Sequence, residues 1–182
     1  MGNEFLKFSG DYHDWSVYRK STIVSDVTEM FIRRAFPDRT RTIDQMRQAA
    51  RSCKQNIIEG ISDKVVSAEM CIKLIGVARG SLRELREDYE DFLRQNKHEI
   101  WGKDNPKTEA VRRFNRTHND PLDYVQRCEV RSDETVANIM LTLAYQLDAM
   151  PAKVIKALEE DFLEEGGIKE AMARARRKKR GY

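Results

Sequence analysis

Cys71, Ile75, Ala78, Leu82, Leu85, Tyr89 and Phe92 follow one another at alternating steps of four and three residues without a slip. That spacing sets seven apolar side chains along one stripe of an α-helix, which no strand of period two reproduces. A helix over about 64–96 cannot bury such a stripe alone, so it requires helical partners. The same pattern recurs over about 40–60 in Ile43, Met46, Ala50, Cys53 and Ile57. A looser version, Val17, Val24, Val27 and Phe31, predicts a helix over about 13–36. A fourth begins at Ser132, a good N-cap, and runs through Val136, Met140, Leu143, Leu147, Met150, Val154 and Leu158 or Phe162. Pro151 removes a backbone donor inside that last stripe, which predicts a kink or a break.

Turn chemistry divides these segments. Pro37-Asp38 stops the first helix, and Gly60 suits the left-handed residue just past the end of the second. Gly80 falls inside the third, where glycine costs about 1 kcal/mol relative to alanine. Its presence predicts close approach of a neighbouring helix over Gly80 and Ser81. Residues 97–131 break the periodicity with Gly102, Asn105-Pro106 and Asn119-Asp120-Pro121. They read as a connection holding one short helix, with Asn105 as its cap and Pro106 at its first position. Gly166-Gly167 ends the helical body, and residues 1–11 read as an extended lead-in whose Phe5, Leu6 and Phe8 can dock on a neighbour.

Composition agrees with helices. Charged residues make up 35% of the 182, aromatics 8%, and there are 9 Gly and 4 Pro, too few turn-formers for a β-sandwich or a low-complexity chain. The expected fold is all-α: an antiparallel four-helix bundle over 1–165, with 97–131 as an inserted connection and 166–182 as a basic C-terminal helical extension.

Several function classes are disfavoured. The most apolar run, Val136–Leu147, is interrupted by Asn138, Thr142 and Gln146, short of the ~20 apolar residues of a membrane span. No leader pattern opens the chain, and Leu6 stands where a myristoylation motif needs Ser or Thr. Cys53, Cys71 and Cys128 make an odd count, read as reduced thiols in a cytoplasmic protein. Cys53 and Cys71 fall on apolar faces as small buried hydrophobes. His13, His98 and His118 have no partners at metal-ligand spacing. GVARGS at 76–81 lacks the Lys-Ser/Thr ending of a phosphate loop. Trp15 and Trp101 read as packing residues. Asn56 and Glu59 read as partners of turn amides beside Gly60, not as catalytic groups. No enzyme, metal or cofactor is expected.

Basic residues carry the functional reading. Residues 168–182 hold seven Lys or Arg against one Glu, a net charge of +6, which leaves −3 on 1–167 of the chain's +3. Arg174, Arg176, Arg177, Lys178, Lys179 and Arg180 form the densest run and point to phosphate backbones or acidic surfaces. Arg79, Arg83 and Arg86 share one face of the third helix, as Arg47, Arg51 and Lys54 do on the second. Where those faces meet they would form a basic strip able to neutralise phosphates. The competing reading is a solvated face laced with pairs to Glu84, Glu87, Asp88 and Asp91. Aromatic interleaving for base stacking is absent, so contacts would go to backbone and not to sequence.

The segments QMRQAARSCKQNIIEG (45–60) and IGVARGSLRELREDYE (75–90) resemble a bacterial four-helix-bundle family. That family includes the protein encoded in intervening sequences of large-subunit ribosomal RNA genes and the accessory protein of diversity-generating retroelements. Gln45, Arg47, Ala49 or Ala50, Ser52, Asn56, Ile57, Glu59 and Gly60 match its first motif, and Ala78, Gly80, Ser81, Leu82, Glu84 and Leu85 its second. NIMLTLAYQLDAMPAKVIKALEEDFLEEGGIKE is similar to the C-terminal suffix of a subset of the family. Pro151 and the long 97–131 segment depart from its pattern. The resemblance implies a four-helix bundle assembled as a homopentamer, basic surface offered to RNA or DNA and to a reverse transcriptase, and no catalytic residues. The resulting expectation is a non-enzymatic, oligomeric nucleic-acid-binding accessory protein. The alternative is a protein-interaction scaffold without a nucleic-acid role. Apolar residues off the stripes, Ile72, Leu74, Val77, Ile139 and Leu141, exceed one bundle's needs and are expected between subunits.

Overall fold

A computed structural model describes residues 16–36, 41–62, 68–165 and 176–177, with backbone alone at 61, 62, 68 and 151–165. The described residues contain six helices and no strand: α1 (Ser16–Ala35), α2 (Arg41–Ser62), α3 (Ala68–Gln95), α4 (Pro106–Thr117), α5 (Pro121–Glu129) and α6 (Asp133–Glu165). The all-α class is met. Among them no helix is long and apolar enough to cross a membrane. The lead-in with Phe5, Leu6 and Phe8, Pro37-Asp38 and Gly166-Gly167 lie outside the described residues.

The stripes bury as their spacing requires. Val17, Val24, Val27 and Phe31 of α1, Met46, Ala50, Cys53 and Ile57 of α2, and all seven stripe residues of α3 are buried. Val136, Met140, Leu143 and Leu147 of α6 join them. α1 packs on α2 and α6, and α3 packs on the same two helices. Large side chains bridge α1 and α3 directly: the Phe31 ring lies 5.0 Å from both Tyr89 and Phe92, edge-on to the latter. The Tyr89 hydroxyl, which has no water to reach, meets Thr28 Oγ1 at 3.0 Å.

Between α2 and α3 the family-like motif residues serve packing. Ser52 and the buried Ser81 share a hydrogen bond at 2.9 Å, and Asn56 Nδ2 donates to the Ser52 carbonyl at 2.9 Å. Among the described residues Asn56 thus bonds within its own helix, and the turn amides expected as its partners lie outside them. Gly60 does not terminate α2, which continues to Ser62. A Cβ there would stand 3.2 Å from Leu74 Cβ, so the glycine admits α3 at close range. Gly80 reverses the expectation set for it: it is exposed, and a Cβ added there meets nothing within 4 Å. Ser81, its neighbour, makes the helix contact instead.

Residues 97–131 hold two helices where one was expected. Both start alike: Asn105 caps α4 by accepting from the Lys107 N–H at 2.9 Å, and Asp120 caps α5 by accepting from the Asp123 N–H at 3.0 Å. Each cap precedes a proline that needs no partner for its nitrogen. α3 ends in a Schellman turn, with His98 N–H bonded to Leu93 O at 2.9 Å and Lys97 N–H to Arg94 O at 3.2 Å. Lys97 occupies the left-handed position at φ 58°, where glycine is usual.

The connection is fastened to α6 by amides. Asn138 Nδ2 donates to Glu99 O at 2.8 Å and to Glu134 O at 3.0 Å, while its Oδ1 accepts from the Trp101 N–H at 2.8 Å. Asn115 Nδ2 donates to Gln146 Oε1 at 2.6 Å, and Asn115 Oδ1 accepts from the Tyr124 hydroxyl at 2.6 Å. From α1, the buried Lys20 ammonium donates to the carbonyls of Asn115 and His118 at the end of α4. A cation on a helix C-terminus is favourable, although burial lowers the Lys20 pKa to about 8.

The attached connection makes α6 buried all round from Val136 to Ala144. Ile139 and Leu141, expected between subunits, are therefore buried inside the chain, while Ile72 and Leu74 are half-buried and Val77 is exposed. α6 also runs unbroken through Pro151, since one missing donor leaves the hydrogen-bond ladder on either side intact.

Candidate nucleic-acid interface

The α2 cations face α1. Arg47 Nε lies 2.8 Å from Glu29 Oε2, and its Nη1 lies 3.3 Å from Asp44 of its own helix. Arg47, Arg51 and Lys54 line one groove with Ser25, Asp26 and Glu29. Hydrogen bonds from Arg47 and Arg33 hold the Glu29 carboxyl below the usual range. Asp26 is pushed the other way by partial burial, against the pull of Lys54. The groove has mixed charge, with Arg51 exposed and in no ion pair with a described residue.

The α3 cations face α6. Arg79 grips Asp148 with two nitrogens, Nε to Oδ1 at 2.8 Å and Nη2 to Oδ2 at 3.4 Å. Arg86 Nη1 approaches the same carboxylate at 3.9 Å, and its guanidinium lies 4.4 Å from the centre of the Tyr145 ring. The Tyr145 hydroxyl donates to Glu90 Oε1 at 3.2 Å. Arg83 alone of the three is exposed and in no ion pair with a described residue.

Arg79 and Arg86 do pair, but across helices with Asp148 and not along α3. The carboxylates expected as partners crowd one another: Asp88 is pushed up to about 6 by burial and by Asp91, Glu84 and Glu87. Asp91 is taken by Arg94 at 2.7 Å. Asp148 lies more than fifty residues from any of these arginines, so no helical spacing could reveal it.

The α2 cations line a groove beside α1, while Arg79 and Arg86 are held by Asp148 of α6, and Ser52, Asn56 and Ser81 stand between α2 and α3. Arg176 and Arg177 are exposed. Arg174, Lys178, Lys179 and Arg180 lie outside the described residues.

Reactive chemistry is muted at the thiols. Burial pushes Cys53 up to about 12 and Cys128 up to about 11, so both are neutral near pH 7. Among the described residues no group of three or more His, Cys, Asp or Glu stands where it can hold a metal ion. No described protein family, no curated protein and no solved structure matches the chain.

Proposed function

We propose that this chain is a non-enzymatic, oligomeric nucleic-acid-binding accessory protein of the cytoplasm that grips phosphate backbone. In this reading α1, α2, α3 and α6 form an antiparallel bundle, and the basic residues 166–182 extend from it as a helix. The family resemblance in α2 and α3 supports a bacterial origin, a pentamer, and a reverse transcriptase as protein partner.

One observation carries the reading: charge is segregated, with a net +6 in 168–182 and −3 in the rest. On the body, Arg47, Arg79 and Arg86 are engaged by carboxylates, which leaves Arg51, Arg83 and the half-buried Lys54 as the helix cations best able to reach a phosphate. The basic segment is thus the principal contact and the helix faces are secondary.

Anisotropy of labelled duplex DNA and structured RNA, read against salt, tests this. A segment meeting about five phosphates gives a slope of about −4.5 in log K against log salt on duplex DNA. Truncation after Gly167 is expected to keep the helical content and the assembly while removing most of that slope. Absence of salt-dependent binding to either nucleic acid, or a truncated chain that binds as tightly, sinks the proposal. Light scattering that returns a single-chain mass at micromolar concentration sinks the oligomer.

The scaffold reading is favoured by a different feature. Met70 and Val77 are 45% and 47% exposed on α3, where apolar side chains would suit a partner protein.

A further inference from the structure

The 97–131 connection encloses a cavity of about 390 Å³ against α6, at the lower end of the sizes that take small organic molecules. Its floor is buried and apolar: Tyr124 and Cys128 from α5, Ile139 from α6. Its walls are the half-buried Trp101, Val111 and Phe114, with Thr135 opposite. Its rim is exposed and cationic, formed by Lys107, Arg127 and Arg131 around the small Ala110. No carboxylate lines it.

The cations are set on the aromatic walls. Lys107 Nζ lies 5.0 Å from the Trp101 ring centre, and the Arg127 guanidinium 5.4 Å from that of Phe114. Asp123 pairs with Arg127 at 2.8 Å from outside the lining, so Arg127 is already compensated. Lys107 is in no ion pair with a described residue, and Arg131 spends one nitrogen on the Arg127 carbonyl. Trp101 Nε1, a donor only, is buried with no acceptor among the described residues, so the tryptophan offers the cavity its ring and not its N–H.

We propose that this cavity is a binding site for a small organic anion with a flat apolar body, an aryl carboxylate, sulfonate or phosphate. The body lies between Trp101 and Phe114 over the Cys128 floor. The anionic head stays at the mouth with Lys107 and Arg131. The neutral, buried Cys128 thiol is a wall and takes no part in chemistry. The site is separate from Arg47, Arg51, Arg79 and Arg83 and does not rest on the nucleic-acid reading.

The test uses the full chain with two dyes of one shape, 8-anilinonaphthalene-1-sulfonate and its uncharged counterpart N-phenyl-1-naphthylamine. The expected result is saturable binding of one sulfonate dye per chain. Lys107→Met and Arg131→Met are each expected to weaken the sulfonate dye about five- to tenfold while changing the neutral dye less than twofold. Ala110→Phe from α4, or Thr135→Leu from α6, fills the space and is expected to weaken both dyes at least about tenfold. Circular dichroism identifies which filling variant keeps its helices, and either one suffices. Sulfonate binding that is not saturable, that survives filling, or that falls no more than neutral binding in Lys107→Met overturns the proposal.

Discussion

The α2–α3 seam and the α6–connection seam are built on opposite principles. The first is an apolar stripe against an apolar stripe, refined among the described residues by a serine pair, Asn56 and a close glycine contact. The second joins the connection to α6 through Asn138, Asn115 and Gln146, and to α1 through Lys20, and their partners are largely main-chain carbonyls and N–H groups. Apolar contacts tolerate small shifts and are spread over many residues. A buried amide with three partners fixes position but fails as a unit when removed. The first seam should therefore set global stability, and the second should set where the connection sits.

The largest expected effect is at the first seam. Leu82→Ala, at a side chain 2% exposed, is expected to cost about 3–4 kcal/mol of global stability in denaturant unfolding. Asn138→Ala is expected to cost about 2–3 kcal/mol by orphaning Trp101 N–H and the Glu99 carbonyl. Hydrogen exchange should accelerate over 99–129 first and leave α2 and α3 protected. If exchange rises equally in all helices, the two seams are one cooperative unit and the distinction fails.

Lys20 sharpens the comparison through pH. Its pKa is about 8 in the fold and 10.5 when unperturbed, so between those values the unfolded chain holds a proton that the folded chain has released. Stability contributed by this group therefore rises with pH across that window, because the cost of burying the ammonium is relieved. Between pH 7 and 9.5 the wild type should gain about 2 kcal/mol relative to Lys20→Met in urea unfolding. A constant difference would place the charge in a better-solvated position. The smallest effects are gains. Lys97→Gly relieves the left-handed turn and should stabilise by about 1 kcal/mol. Gly80→Ala, exposed and unobstructed in mid-helix, should raise stability by about 0.5–1 kcal/mol.

The first seam was legible in the sequence and the second was not, for a physical reason. A stripe such as Cys71 to Phe92 announces itself because every member obeys the helical period. Asn138, Thr142 and Gln146 obey it too, at steps of four, but count only as interruptions until their partners are known. Those partners include main-chain groups of Glu99, Trp101 and Arg112, which any residue type supplies. A polar stripe inside an otherwise apolar helix was the signal available for a second layer. Gly60 and Gly80 were read in reverse because glycine marks both tight turns and close contacts, and one sequence does not separate them. The basic positions were legible as residues but not in their pairing, since Glu29 and Asp148 come from other helices.

The Lys20 clamp also bears on the order of folding. Lys20 and Asn115 are 95 residues apart, so their contact closes one of the longest loops in the chain. Contacts of α2 with α3 span far less sequence and form at lower entropic cost. The end of α4 thus waits for a site that exists only once α1 and α6 are in place. In kinetic terms the connection is expected to dock after the rate-limiting step. Substitutions at Lys20, Asn115 or Asn138 will then speed unfolding and leave the folding rate nearly unchanged, whereas Leu82→Ala will slow folding itself.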